Sequence, residues 1–226
     1  MEAPEPKNII KKIRQTGIIP MFHHEDPEIC KSVIKACYDG GIRVFELISN
    51  GTRTMENFVS IKKYIHHSLP EMYLGTGGIK DAATADTFIH FNTDFISCPI
   101  QDKETGDICK KRKILWIPGC TTPTEIAAAE KNGANIVRLF PGESQTTLSF
   151  RVIKTIFSDM QFIMAGGIEP SAAGIIPWLE TGILGASMGG RLISPEMLTH
   201  KHHPFLKERV KKLLKTIRQW RQQSIA

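Results

Sequence analysis

The sequence lacks the features that mark membrane, secreted and disulfide-stabilised proteins. No apolar run reaches the roughly 18 residues that a membrane-spanning helix needs. Residues 1–6 are acidic and rich in proline, which is unlike a secretory signal peptide. The five cysteines form no CxxC pair and are odd in number, a usage typical of reduced thiols. These absences predict a cytoplasmic protein that makes no membrane contact.

Histidines are clustered, but the clusters lack the spacing of metal ligands. His23-His24 and His66-His67 are adjacent pairs, and a third group lies within residues 200–203. None has the HxxxH or HxxE spacing that puts two ligands on one face of a helix. Adjacent histidines in a strand point to opposite sides. The sequence therefore predicts neither a bound metal nor another cofactor.

The net charge of +6 is concentrated near the end of the sequence. Residues 207–221 carry seven basic side chains and one acid, Glu208, and their apolar residues recur at helical spacing. This pattern predicts an amphipathic helix whose apolar face packs on the protein body while its lysines and arginines face solvent. A basic helix that binds nucleic acid or another partner is the alternative. The stretch lacks the interleaved aromatic residues that would support nucleic-acid binding, so nucleic acid is not the predicted partner.

Short apolar runs alternate with amphipathic segments of helix length along the chain. Eight such strand–helix pairs are typical of the α/β class and predict a (β/α)₈ TIM barrel. A doubly wound open sheet would have a glycine-rich turn after its first strand, and Phe22-His23-His24-Glu25 is not one. The predicted strands are 17–22, 42–47, 72–75, 95–98, 114–117, 136–140, 162–165 and 183–187.

No linker or low-complexity segment divides the chain, so a single barrel domain is predicted over residues 1–226. Residues 1–15 form a helical extension before the barrel. Residues 195–226 form a long amphipathic helical segment after it.

Two predicted strands each contain a charged residue directly flanked by apolar neighbours. Glu46 lies in the second strand and Arg138 in the sixth. An isolated buried charge is very costly, so each must be paired or functional. The carboxyl ends of barrel strands are where this fold keeps its chemistry. Together the two residues are either a structural salt bridge or a general base beside an electrostatic clamp.

Glycine pairs follow the seventh and eighth predicted strands. Gly166-Gly167 and Gly189-Gly190 leave backbone N–H groups free to approach an anion, and Arg191 adds a cation. This end of a barrel is the usual phosphate position, so these five residues are predicted to bind phosphate. Tight turns that need glycine are the alternative explanation.

Several motifs in register resemble one family. They are Gly17-Ile18-Ile19-Pro20, Gly40-Gly41-Ile42-x-x-x-Glu46, Pro118-Gly119-x-x-x-Pro123-Thr124-Glu125, Phe140-Pro141 and Gly166-Gly167-Ile168. Together they resemble the 2-keto-3-deoxy-6-phosphogluconate and 4-hydroxy-2-oxoglutarate aldolases, from about Gly17 to Ile193. The resemblance implies a (β/α)₈ barrel, a homotrimer, and a lyase that cleaves its substrate to pyruvate and an aldehyde through a lysine Schiff base.

The resemblance also implies which residues form the site. Glu46 matches the general acid/base glutamate, but Arg138 stands where the Schiff-base lysine belongs, and Asn50 replaces an arginine that holds the substrate carboxylate. A guanidinium stays protonated and cannot condense with a carbonyl, so Arg138 cannot take over the lysine's role. Lys80 is the nearest other lysine by topology. The predicted substrate-binding residues are Arg53, Thr76, Gly78 and Pro99.

Three functions follow from these observations. The first is a lyase of this aldolase family, in which Arg138 stabilises a pyruvate enolate and Glu46 moves the proton. The second is a repurposed barrel that binds a small carboxylate or phosphate without turnover. The third is a protein that binds a partner or nucleic acid through the basic terminal helix. A keto acid or sugar-acid phosphate is the predicted ligand.

Overall fold

The computed structural model describes residues 4–50, 53–199 and 204–223, in which parallel strands alternate with helices. The strands are β1 (Ile18–Phe22), β2 (Val44–Ile48), β3 (Tyr73–Gly77), β4 (Phe95–Ser97), β5 (Leu115–Ile117), β6 (Gly119–Cys120), β7 (Ile136–Leu139), β8 (Gln161–Ala165) and β9 (Gly185–Met188). The α-helices are α1 (Pro6–Thr16), α2 (Pro27–Asp39), α3 (Thr54–Ser68), α4 (Ala82–His90), α5 (Lys103–Lys111), α6 (Pro123–Lys131), α7 (Thr147–Ile156), α8 (Ala172–Leu179) and α9 (Pro204–Gln223).

All the strands are parallel and form one sheet in the order β5-β4-β3-β2-β1-β9-β8-β7-β6. The two ends of this order, β5 and β6, are separated only by Pro118, so they are two halves of one strand and the sheet closes into a barrel. Proline has no N–H to donate and therefore interrupts the hydrogen-bond ladder at this point. The predicted (β/α)₈ barrel is confirmed. The sequence placed the fifth strand at 114–117 and missed its continuation after the proline.

The barrel interior and the helix layer are two separate apolar cores. Ile19, Val44, Phe95, Ile136 and other inward side chains form the interior core, and the opposite faces of the strands pack on the helices. This division follows from the alternation of side chains along each strand. Helix α1 contributes to the interior core rather than to the outer layer.

Helix α1 closes the amino end of the barrel. Its Ile9 and Ile13 are fully buried and pack with the interior core. Gly17 then ends the helix in the left-handed conformation (φ 71°), and its N–H donates to the carbonyl of Ile13. The described part of the chain therefore seals the barrel at this end.

Helix α9 is amphipathic, as predicted. Leu206, Val210, Leu213, Leu214 and Ile217 are buried, and the helix packs against α2 and α8. Val210 lies so close to Gly40 that a β-carbon there would be 2.6 Å from its side chain. The predicted segment from residue 195 is not one helix, because a short 3₁₀ helix (Pro195–Thr199) precedes α9. Residues 200–203 and 224–226 of that segment lie outside the described residues.

No helix in the described ranges is both long and apolar enough to cross a membrane. Asp26 caps α2, since its carboxylate accepts a hydrogen bond from the Glu28 N–H at 2.8 Å.

We expect Ile13→Ala to lower the free energy of unfolding by about 2–4 kcal/mol, because it opens a cavity in the sealed end of the barrel. Urea denaturation followed by circular dichroism measures this. Lys11→Ala on the exposed side of the same helix is the control and should change stability little. Equal losses for the two variants would contradict a sealing role for α1.

Candidate functional site at the carboxyl end of the barrel

Arg138 and Glu46 form an ion pair across the barrel interior. Arg138 extends from β7, and Glu46 extends from β2 on the opposite wall. The guanidinium Nη1 donates to Glu46 Oε1 at 3.0 Å, and Nη2 donates to Oε2, so the contact is bidentate. Glu46 is completely buried and Arg138 is 5% exposed. Both charges predicted from the sequence therefore belong to one site.

Two further side chains fix the guanidinium. Arg138 Nη2 donates to Ser187 Oγ on β9 at 3.0 Å, and Nη1 lies 3.7 Å from the Met21 sulfur on β1. Sequence reasoning did not predict either residue. Ser187 is a small polar residue inside an apolar strand, which is the signal that could have identified it.

Gly77 makes room for this pair, because a β-carbon there would overlap the carboxylate of Glu46. Gly119 is the register partner of Arg138 on the neighbouring strand, and a β-carbon there would collide with the Pro99 carbonyl oxygen. Gly77 is therefore a requirement of the site, whereas Gly119 is a requirement of the backbone packing.

The pair leaves one guanidinium hydrogen without a partner. An arginine has five N–H donors. Four of these donors are on Nη1 and Nη2, and these two nitrogens contact Glu46, Ser187 and Met21. The fifth is on Nε, which is buried and has no hydrogen-bond partner among the described residues. The hydroxyl of Ser97, which points inward from β4, is likewise buried and unpartnered there. Buried polar groups are normally hydrogen-bonded, so these two atoms are candidate ligand contacts.

Neither Lys80 nor the thiols of Cys98 and Cys120 supply a nucleophile to this layer. Lys80 is exposed after β3 and therefore does not supply an amine to the barrel interior. Burial raises the pKa of Cys98 and of Cys120 to about 12 in each case. Both thiols are therefore protonated at neutral pH and unreactive.

The four residues predicted to bind substrate lie in different places. Gly78 (φ 77°) and the half-buried Pro99 follow β3 and β4 at the carboxyl end. Arg53 is exposed at the start of α3, beyond residues 51–52, which are outside the described ranges. Thr76 is fully buried, and its hydroxyl pairs with the hydroxyl of Thr93 at 3.1 Å. Because side chains alternate along a strand and Gly75 and Gly77 face inward, the side chain of Thr76 points away from the barrel interior.

The glycine backbone predicted to bind phosphate contacts a carboxylate of the same chain. The Gly167 N–H donates to Glu143 Oε1 at 2.8 Å, and a β-carbon at Gly166 would collide with the same carboxylate. Gly166 (φ 91°) and Gly167 (φ 72°) both adopt the left-handed conformation that favours glycine. Glu143 lies in a short 3₁₀ turn (Gly142–Ser144) after β7, and sequence reasoning missed it.

Arg191 is also paired within the chain. Its guanidinium forms an ion pair with Glu169, and both side chains are about half exposed. Gly189 and Gly190 lie beside it after β9, and a β-carbon at Gly190 would meet no heavy atom within 4 Å. The residues predicted to bind phosphate therefore lie at the ends of the adjacent strands β8 and β9. The carboxylates of Glu143 and Glu169 lie there with them.

Among the described residues, no three histidine, cysteine, aspartate or glutamate side chains are grouped so that they could hold a metal ion.

A closed parallel barrel whose charged residues lie toward the carboxyl ends of its strands defines the class of (β/α)₈ barrel proteins. The family model "KDPG and KHG aldolase" matches residues 9–207. The chain therefore belongs to the KDPG and KHG aldolase family.

Individual relatives are distant in sequence. The 2-dehydro-3-deoxy-phosphogluconate aldolase of Pseudoalteromonas atlantica is 26% identical over 160 residues, which are 70% of this chain and 72% of that protein. The KDPG aldolase of Legionella pneumophila, solved with pyruvate captured as a covalent carbinolamine intermediate, superimposes with a TM-score of 0.81 at 18% identity. That match covers 91% of this chain and 97% of the Legionella chain.

A designed protein also shares this fold. A cube-shaped protein cage made by fusing symmetric oligomeric domains superimposes with a TM-score of 0.81 at 19% identity. The match covers 92% of this chain and 74% of the cage chain.

We expect Arg138→Met to destabilise the protein by about 3–5 kcal/mol, because it leaves the Glu46 carboxylate buried without its partner. The double variant Arg138→Met/Glu46→Gln should recover a large part of this loss. Chemical denaturation of the wild type, both single variants and the double variant gives the coupling free energy. Additive effects of the two substitutions would show that the ion pair is not a structural unit.

Proposed function

We propose that this chain binds a small 2-keto acid at the carboxyl end of the barrel without forming a Schiff base at residue 138. The main evidence is the buried guanidinium of Arg138, which Glu46 and Ser187 orient and whose Nε–H has no hydrogen-bond partner among the described residues. A fixed guanidinium in a poorly hydrated site attracts a carboxylate or an enolate oxygen strongly. The same group cannot supply the amine that covalent catalysis requires.

The ligand class is drawn from the family and from the charge of the site. The Legionella relative was captured with pyruvate, and the curated relative acts on a keto sugar acid by its name. In this chain a keto acid would approach the edge of the guanidinium that carries Nε, with the Ser97 hydroxyl as a second donor. Gly78 and Pro99 would then border the ligand at the ends of β3 and β4.

A lyase reaction is the second candidate function, and the family membership favours it. In such a reaction Arg138 would stabilise the pyruvate enolate that forms when the substrate's carbon–carbon bond breaks, while Glu46 would carry the proton. Both oxygens of Glu46 accept bonds from Arg138, so proton transfer requires the carboxylate to leave this pair. Binding of a keto acid needs no such rearrangement of Glu46, so it agrees more directly with the observed geometry than turnover does.

Borohydride trapping with pyruvate, read by intact mass, tests the proposal. We expect no adduct on the wild type and an adduct on Arg138→Lys, because that variant restores an amine inside a site that still binds pyruvate. Arg138→Met is the matched control, since it removes the guanidinium without adding an amine. A wild-type adduct that disappears in Lys80→Arg would contradict the proposal and identify another nucleophile.

The absence of pyruvate binding to the wild type would also contradict the proposal. Calorimetric titration with pyruvate measures it, and a coupled assay for pyruvate release from 4-hydroxy-2-oxoglutarate separates binding from turnover. Turnover by the wild type with no trapped adduct would favour the lyase candidate.

We further propose that the protein is a homotrimer whose subunits meet at helix α7. Leu148, Val152 and Ile156 are 75%, 59% and 63% exposed and recur every fourth residue, so they form one apolar stripe. Exposed apolar stripes of this kind are typical of protein–protein interfaces. A second copy of the chain is the proposed occupant, because the resemblance implies a trimer and the cage neighbour was built from symmetric oligomeric domains.

The double substitution Leu148→Lys/Val152→Lys should convert the trimer to a monomer, because like charges would meet across the interface. Multi-angle light scattering after gel filtration measures the mass. Phe205→Lys, at an exposed aromatic residue on α9, is the control and should leave the trimer intact. A wild type that is monomeric, or a double variant that stays trimeric, would contradict the proposed interface.

A further inference from the structure

A cavity of about 430 Å³ lies at the amino end of the barrel, far along the strands from Arg138 and Glu46. Most of its lining comes from the carboxyl half of α3, the end of α4 and the residues that lead into β3, β4 and β5. Apolar side chains of the helix layer supply much of the wall: Ile65, Leu69, Met72, Ile89 and Ile114. Cavities of this size with apolar walls and a few polar groups are typical of small-molecule sites.

One carboxylate in this wall, that of Asp94, has an oxygen without a hydrogen bond. Asp94 is 7% exposed and directly precedes β4. Its Oδ2 accepts from the Leu74 N–H at 2.6 Å and from Lys62 Nζ at 2.5 Å, whereas Oδ1 has no hydrogen-bond partner among the described residues. Burial raises the pKa of Asp94, and Lys62 and the Leu74 N–H offset this effect only in part. A charged donor from a ligand would therefore stabilise the carboxylate.

A weakly held cation lies in the same lining. The Arg112 guanidinium is 3.4 Å from Asp86 Oδ1, and both side chains are largely exposed to solvent, so this ion pair holds it little. A ligand that carried only an ammonium group would be repelled by Arg112 and Lys62. A ligand that carried only a carboxylate would be repelled by Asp94 and would leave Asp94 Oδ1 unpartnered. A ligand with both charges avoids each of these costs.

We propose that this cavity binds a small zwitterion with an apolar side chain, namely an aliphatic α-amino acid. Its ammonium group donates to Asp94 Oδ1, and its carboxylate accepts from Arg112. The aliphatic side chain packs on the wall formed by Ile65, Ile89 and Ile114. Because the cavity and the Arg138 site lie at opposite ends of the strands, this inference does not depend on the binding of a keto acid.

Calorimetric titration with L-leucine tests the proposal, and isopentylamine and 4-methylpentanoate are the analogues that each lack one of its two charges. Leucine should bind the wild type at least about tenfold more tightly than either analogue, because each analogue loses one hydrogen bond between charged groups. Asp94→Asn and Arg112→Gln should each weaken leucine binding by a similar factor. Asp107→Asn, at an exposed aspartate on α5 outside the cavity, is the control and should bind leucine as the wild type does.

Asp94→Asn also removes the charge that pairs with Lys62, so circular dichroism must first show that this variant folds. If it does not fold, Arg112→Gln decides, because its side chain is half exposed and its loss leaves the core intact.

Three results would overturn the proposal. The first is that leucine, isoleucine and valine all fail to bind the wild type. The second is an unchanged leucine affinity in Arg112→Gln or in folded Asp94→Asn, which would place leucine elsewhere on the protein. The third is that either analogue binds as tightly as leucine, which would show that the cavity does not recognise a zwitterion.

Discussion

The buried ion pair between Arg138 and Glu46 is the interaction on which the carboxyl end of this barrel depends. It connects opposite walls of the barrel, it uses both oxygens of the carboxylate, and Gly77 on the strand next to Glu46 leaves space for it. Ion pairs in protein interiors gain little net stability but are costly to break from one side. The pair therefore constrains both residues together, and neither position can change alone without loss.

The same pair contains a guanidinium where the resemblance implies the amine of a lysine. Family membership describes the scaffold, the strand order and the position of the site, whereas the reaction depends on single groups within it. A lysine in this position would alternate between protonated and neutral forms, but an arginine does not. The chain therefore carries a cation of fixed charge at the position from which the resemblance implies a nucleophile.

Much of the barrel was predictable from the sequence because eight apolar runs alternate with amphipathic segments, and a parallel barrel is what that repetition favours. Glu46 and Arg138 were identifiable because a charge inside an apolar strand is unusual. Thr76 was predicted to lie in the site, but its side chain points away from the barrel interior. A shift of one residue along a strand moves every side chain to the other face, and local composition does not determine this shift. Glu143 was missed because its role arises from a contact 24 residues away in sequence, which no local pattern reveals.

The contact between Arg221 and Gln15 has a consequence for how the chain acquires its fold. The Arg221 side chain donates to the Gln15 carbonyl at 2.8 Å, across 206 residues of sequence. Strand β1 likewise has β9 as one of its two neighbours. During synthesis one edge of the first strand therefore stays without its hydrogen-bonding neighbour until nearly all of the chain has left the ribosome. An open edge invites pairing with other chains, so the nascent protein is most exposed to aggregation just before the barrel closes.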